Sequence, residues 1–372
     1  VRRYQTDSGG EGMPHYFDET AVGQQEHMDK LRVLLAEVHK ASASDLHLAA
    51  GSPPVMRLHG QLQRIGQQLL MAEEINGMAI GLLEGEQWER FKLLGEMDLA
   101  WELEGISRYR VNAYRQRGQI SLAIRTIPVD IPSLSSLGLP PAVEALAARP
   151  HGLVLVTGPT GSGKSSTLAA MIDHINATQK KHIVTLEDPV EFVHSNRMSL
   201  IQQREVGRDT GSFASGLRAA LRQDPDVILV GEMRDPETIG AAVTAAETGH
   251  LVLATLHTTD APQTIDRIID AFPAHQQAQV RGQLAAVLAG VISQRLLPRP
   301  DGAGRCCAAE IMINTPAVAN LIRSEKVHQI RSVLQTGRAQ GMVTLDMSVQ
   351  ELLRQGRVDP AAAKACLTEG AV

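Results

Sequence analysis

Residues 158–165 read Gly-Pro-Thr-Gly-Ser-Gly-Lys-Ser, set between an apolar run over 153–156 and a stretch where Leu168, Met171, Ile172 and Ile175 recur at helical spacing. No other feature narrows the fold so far. A phosphate-binding loop must turn several backbone N–H groups towards one anion, which demands backbone conformations that glycine adopts freely. It must also open a helix whose N-terminal dipole favours negative charge. Gly158, Gly161 and Gly163 provide the freedom, and Thr160, Ser162 and Ser166 add hydroxyl groups around the loop. Lys164 would reach the β- and γ-phosphates of a nucleoside triphosphate, and the Ser165 hydroxyl would bind Mg²⁺. A chance match to the pattern has odds of about 1% per chain, and the strand-loop-helix context lowers them further.

The rest of that half of the chain suits such a loop. Short continuous apolar runs over 153–156, 183–186, 227–230 and 251–256 alternate with helical patterns, as in a buried, mainly parallel sheet. Residues 274–296 and 317–370 carry helical patterns without such runs and are expected to form a helical C-terminal part.

Hydrolysis needs a carboxylate to orient or deprotonate water and a group to hold Mg²⁺. Glu187, within Thr185-Leu-Glu-Asp-Pro-Val-Glu191, follows one apolar run. Glu232 follows another, with Gly231 between them. Acids at the C-terminal ends of central parallel strands face the ligand crevice. Both are therefore candidates for catalysis and for Mg²⁺, in an order the residues leave open; the plainer alternative is a solvated strand-end acid, more so for Asp188 and Glu191. His257 closes the run over 251–256 and is placed to sense the γ-phosphate, whereas His250 begins that strand and belongs at the opposite end.

The N-terminal part has a different pattern. Residues 1–27 are polar, with Gly9, Gly10 and Gly12 close together, and read as a disordered leader without the basic start and apolar stretch of a secretory signal. Leu31, Leu34, Leu35 and Val38 then mark an amphipathic helix, short strands flank 51–54, and a second helix is expected near 72–94. Tyr109, Val111 and Ala113 alternate with Arg108, Arg110 and Asn112, and Ile120, Leu122 and Ile124 repeat the alternation after a turn at 115–118. This hairpin carries Arg108, Arg110, Arg115, Arg117 and Arg125. Such a basic face is usually solvated, but in a ring Arg110 and Arg125, well inside the strands, would reach a neighbour's phosphates. Residues 28–130 thus form a small α+β domain, 131–141 a Pro-rich linker, and 142–372 the nucleotide-binding domain.

Composition excludes several classes. The charged fraction is 21%, mean hydropathy is −0.09, and no apolar run approaches the roughly 18 residues of a membrane span, so no direct membrane insertion is expected. A net charge of −5 argues against nucleic acid as a partner. Cys306, Cys307 and Cys366 lack the spacing of a disulfide framework or zinc site, and the cytosol is the expected compartment.

Together these residues resemble the ATPases of type II secretion and type IV pili, and within them the pilus retraction family. The resemblance runs from Met28 to about residue 370. It rests on Ala43-Ser-Asp-Leu-His-Leu48, the glycine loop, 186–191, the segment Asp224-Pro-Asp-Val-Ile-Leu-Val-Gly-Glu-Met-Arg-Asp235, and 248–257. It implies an α/β fold with a RecA-like ATPase domain and a smaller PAS-like α+β N-terminal domain. It further implies a homo-hexamer with ATP between the two domains, arginines donated from the N-terminal domain, and a platform protein in the inner membrane as partner. The motor would lie in the cytoplasm at the inner face of the membrane, and a start at Met28 would be natural. The longer N-terminal region and four-cysteine module usual in extension and secretion ATPases do not occur here. Thr315-Pro-Ala-Val-Ala-Asn-Leu-Ile-Arg323 resembles the retraction family's C-terminal signature, with Ala319 where arginine is usual, so the PilU-like accessory branch stands beside retraction proper.

Overall fold

A computed structural model of the chain describes residues 21–369 apart from 42, 59, 104, 128, 129 and 303. It divides into two compact units, residues 1–127 and 128–372.

The first unit contains α1 (Ala21–Lys40), β1 (Asp45–Ala49), β2 (Val55–Leu58), β3 (Gln61–Arg64), α2 (Ala72–Leu82), α3 (Glu86–Leu94), β4 (Glu96–Leu103), β5 (Ser107–Gln116) and β6 (Gln119–Ile127). Its strands form one antiparallel sheet in the order β3-β2-β1-β6-β5-β4. The expected alternation holds: Tyr109, Val111, Ala113, Leu122 and Ile124 are buried and share a core with Leu31, Leu35 and Val38 of α1 and Ile75 and Met78 of α2. The β5–β6 turn is Arg117-Gly118, with φ of 52° and 78°, the paired positive φ that a two-residue hairpin loop requires.

Two expectations are corrected here. Most of the leader expected over 1–27 lies outside the described residues, but its last part belongs to α1, which begins at Ala21 rather than Met28. The helix expected near 72–94 is two helices, interrupted before Gly85, whose φ of 53° no regular helix contains.

The second unit contains α4 (Pro141–Ala147), β7 (Gly152–Thr157), α5 (Lys164–Thr178), β8 (His182–Glu187), β9 (Leu200–Glu205), α6 (Phe213–Ala220), β10 (Val227–Val230), α7 (Pro236–Glu247), β11 (Leu251–Leu256), α8 (Ala261–Asp270), α9 (Ala274–Val287), β12 (Leu288–Pro298), β13 (Arg305–Ile313), α10 (Pro316–Arg323), α11 (Ile330–Thr336), α12 (Leu345–Arg354) and α13 (Pro360–Glu369). The seven-stranded sheet runs β13-β12-β7-β11-β10-β8-β9, with every neighbouring pair parallel except β12–β13. Helices cover both faces, which is why the central strands are apolar throughout. Leu153, Leu155, Ile228, Val230, Val252 and Ala254 pack on the side of α7, α8 and α9, whereas Val154, Val156, Val227, Leu229, Leu251 and Leu253 pack on the side of α4 and α5. Within the Pro-rich stretch expected to link the two parts, Leu134 and Leu139 are buried in this second core.

The C-terminal part is helical from α10 onward, but the helix expected across 274–296 ends at Val287, and 288–298 form β12. Among the described residues no helix is long and apolar enough to cross a membrane.

Candidate functional site

The strand order β7-β11-β10-β8 places four C-terminal strand ends in one row. The glycine loop follows β7, His257 follows β11, Glu232 follows β10, and Glu187 ends β8. Residues some 100 positions apart in sequence thus share one crevice, as ligand sites at the carboxyl ends of parallel strands do.

The loop's shape is set by its glycines. Gly158 has φ 141°, and a Cβ there would lie 2.4 Å from the carbonyl oxygen of Gln294 on β12 and 2.5 Å from Ser162 Oγ. Gly161 and Gly163 have φ of 78° and 91°, and Gly163 is the residue from which α5 starts. Gln294 Nε2 donates to Thr167 Oγ1 (2.8 Å) and Thr157 Oγ1 to Ser293 Oγ (2.9 Å), so β12 braces the loop from behind. Lys164 Nζ donates to the carbonyls of Gly158 (2.9 Å) and Pro159 (3.1 Å). Burial pulls the pKa of Lys164 below the usual lysine value, against the opposing pull of Glu232 and Glu191. Ser165 and Ser166 are half-buried on the first turn of α5, Thr160 is exposed at the loop's tip, and Ser162 Oγ is buried with no hydrogen-bond partner among the described residues.

The two acids have opposite environments. Glu187 is pushed above the usual carboxyl range by burial, despite hydrogen bonds to Oε1 from Thr185 Oγ1 (2.6 Å) and Gln203 Nε2 (3.1 Å). Burial also acts on Glu232, but Arg234 Nη2 at 2.7 Å from Oε2 and His257 Nε2 at 3.2 Å from Oε1 outweigh it and hold that carboxyl below its ordinary value. Gly231 explains the absence of a side chain between the apolar run and Glu232. Its N–H donates to Leu186 O at 2.8 Å, and a Cβ would stand 3.1 Å from that oxygen and 3.4 Å from Glu187 Cα. Met233 N then bonds Thr255 O at 3.1 Å, holding Glu232 between β8 and β11. His250, at the other end of β11, bonds Ala245 O through Nδ1 at 2.9 Å.

Arg110 and Arg125 belong to the first unit. They are cross-strand partners on β5 and β6, and each is paired with an acid: Arg110 Nε lies 3.6 Å from Asp98 Oδ1, and Arg125 Nε 3.0 Å from Asp45 Oδ1. Two like charges directly opposite one another are unfavourable, and the two aspartates offset that cost.

Sequence reasoning passed over Arg234, Gln203 and Thr185. Arg234 stood within the quoted segment 224–235, two residues beyond Glu232, a spacing that could have flagged it. Gln203 gave no signal, because its role depends on the pairing of β9 with β8.

Residues 22–361 match the family model described as type II/IV secretion system protein. The chain belongs to that family. Among its relatives in the type II/IV secretion family, a twitching motility protein of Neisseria gonorrhoeae is 53% identical over 311 residues, which cover 84% of this chain and 83% of that protein. The type IV pilus retractation ATPase PilT of Pseudomonas aeruginosa is 50% identical over 325 residues, 87% of this chain and 94% of its own length. A crystal structure of the pilus retraction motor PilT with bound ADP superimposes with a TM-score of 0.84 at 45% identity, covering 90% of this chain and 95% of that one. The α/β architecture expected from the apolar runs is the architecture of this family member.

Proposed function

We propose that this chain is an ATP-hydrolysing motor that drives retraction of type IV pili and so twitching motility, working as a homo-hexameric ring in the cytoplasm against a platform protein of the inner membrane. The observation that carries the reading is the single row of glycine loop, His257, Glu232 and Glu187 at the ends of adjacent strands. The relatives named for pilus retraction support it, since they match along nearly their whole length.

In this reading the loop N–H groups and Lys164 hold the phosphates of ATP. Among the described residues no three His, Cys, Asp or Glu side chains cluster as a metal cage. That fits Mg²⁺, which takes one or two protein oxygens and completes its shell with phosphate oxygens and water. Ser165 and the ionised Glu232 would hold it, and it would neutralise charge developing on the phosphates. Glu187 is the general base, because a carboxyl with a raised pKa holds a proton better than a surface one. Water gives a proton to Glu187 as its oxygen bonds the γ-phosphorus and the bond to ADP breaks. His257, against Glu232, senses the γ-phosphate. Arg110 and Arg125 act on a neighbouring subunit's phosphates, where their charge is worth most in the transition state.

Steady-state ATPase assays test the chemistry: Lys164→Ala and Glu187→Gln abolish turnover and Glu232→Ala greatly reduces it. DNA leaves the rate unchanged; stimulation by DNA that salt removes would point to a translocase instead. A deletion strain retains surface pili and loses twitching, and a strain without surface pili would overturn the retraction assignment.

A further inference from the structure

Gln203 lies on β9, the edge strand, with its Cα opposite Thr185 of β8. Glu187 stands two residues beyond Thr185, on the same face of that strand. Thr185 Oγ1 donates to Glu187 Oε1 at 2.6 Å, and Gln203 Nε2 donates to the same oxygen at 3.1 Å. The Gln203 amide is fixed in that orientation from two further directions. Its Nε2 also donates to Phe192 O at 2.7 Å, and its Oε1 accepts from His194 N at 2.9 Å. Turning the amide over would set oxygen against oxygen at Phe192 and Glu187 and donor against donor at His194.

We propose that Gln203, together with Thr185, is a positioning residue for ATP hydrolysis: the pair pins Oε1 of Glu187 so that Oε2 takes the proton of the attacking water. The inference rests on the reading of Glu187 as general base. A glutamate's terminal torsion is broad and nearly two-fold, so an unpinned carboxylate offers either oxygen over a wide range of angles. Two donors on one oxygen fix the plane, and the Glu191 N–H lying against the same carboxyl adds to the hold. The same amide ties residues 192 and 194 to β9, which keeps the loop after Glu187 against the strand that orients it. Misplacing a reacting group by about 1 Å is enough to cost on the order of a hundredfold in rate.

The test is a set of kcat and KM measurements on the full chain with Thr185→Val, Thr185→Ser and Gln203→Glu, with Glu187→Gln as reference and thermal melts to confirm folding. Thr185→Val keeps the side-chain shape and loses the donor; Gln203→Glu keeps the acceptor for His194 and loses the donor to Glu187. Both are expected to lower kcat by about tenfold or more with KM for ATP within about twofold, because the lost interaction serves the chemical step and not ATP binding. Thr185→Ser, which retains the hydroxyl, restores kcat to within about twofold of the original. Wild-type turnover in Thr185→Val and Gln203→Glu with Glu187→Gln inactive overturns the positioning role alone, as does a loss in Thr185→Val that Thr185→Ser fails to restore. Full turnover in Glu187→Gln overturns the general-base reading beneath it. A Gln203→Glu protein that does not fold leaves the Thr185 pair to decide.

Discussion

Arg234 Nη2 stands 2.7 Å from Glu232 Oε2, so the carboxylate proposed to hold Mg²⁺ already has a cation on one of its oxygens. The arginine is 77% exposed, and an ion pair so open to solvent contributes only about 0–1 kcal/mol to folding. Its effect is therefore expected on the metal rather than on stability. Arg234→Ala leaves the thermal melt almost unchanged and lowers the Mg²⁺ concentration needed for half-maximal ATPase, since a competing charge has gone. A Mg²⁺ requirement that stays the same or rises would show that Arg234 does not compete.

Gly158→Ala addresses the loop itself. The substituted residue would keep a φ of 141° that side chains rarely adopt, and its Cβ would meet the Gln294 carbonyl at 2.4 Å. That neighbour is β-strand backbone and gives way poorly, so strain and overpacking combine to about 3 kcal/mol. Urea denaturation measures the loss, and a fluorescent ATP analogue should show nucleotide binding fall with it. Gly161→Ala meets nothing within 4 Å and bears only its φ of 78°, so its loss of stability should be the smaller.

How far the sequence discloses the molecule depends on where each signal lies. Strands buried on both faces, such as β7 and β11, announce themselves as apolar runs, and the glycine loop and strand-end acids follow from them. The segment over 284–298 is apolar too, but its alanines and leucines suit a helix equally well, and a short apolar run does not distinguish the two. Pairing with β7 and β13 decides for the strand. Gly290 records that decision, because a Cβ there would come within 2.7 Å of Met312 O. Strand β9, Leu200–Glu205, is largely polar because it is an edge strand with one neighbour, and no periodicity exposes it. Gln203 is hidden for the same reason, because its contact with Glu187 is made by the pairing of β9 with β8, which spacing along the chain does not report, whereas Arg234 lies only two residues from Glu232.

Glu310 on β13 gives a pH prediction. Burial pushes its carboxyl from 4.5 up to about 7, although it accepts the N–H of Ala261 at 2.9 Å and is flanked by Asp260 and by Arg331. The folded chain therefore keeps a proton between pH 4.5 and about 7 that the unfolded chain releases. The stability this contributes is fully present below pH 4.5 and is lost as pH rises to about 7. Glu310→Gln is neutral throughout and lacks that decline. Its stability relative to the original protein should rise across the window by up to about 3 kcal/mol, read from urea titrations at several pH values; parallel curves would place the titration elsewhere.

The arginines of the hairpin give the sharpest test of a shared site. If Arg125 serves the phosphates of a neighbouring subunit, then Arg125→Ala and Lys164→Ala damage different halves of one intersubunit site. Each variant alone has every site defective. When the two are unfolded, mixed and reassembled, some interfaces combine an intact Arg125 from one subunit with an intact Lys164 from the next, and those sites hydrolyse ATP. With random placement in equal amounts about a quarter of the interfaces are intact, so the mixture should recover up to roughly a quarter of the original rate, on the view that an arginine in trans is worth a factor of about 10³ or more. Arg110→Ala, its cross-strand partner held by Asp98, should complement Lys164→Ala in the same way if both arginines cross the interface. A mixture no more active than its components, with Arg125→Ala alone inactive, would mean that Arg125 and Lys164 act on the same subunit's nucleotide.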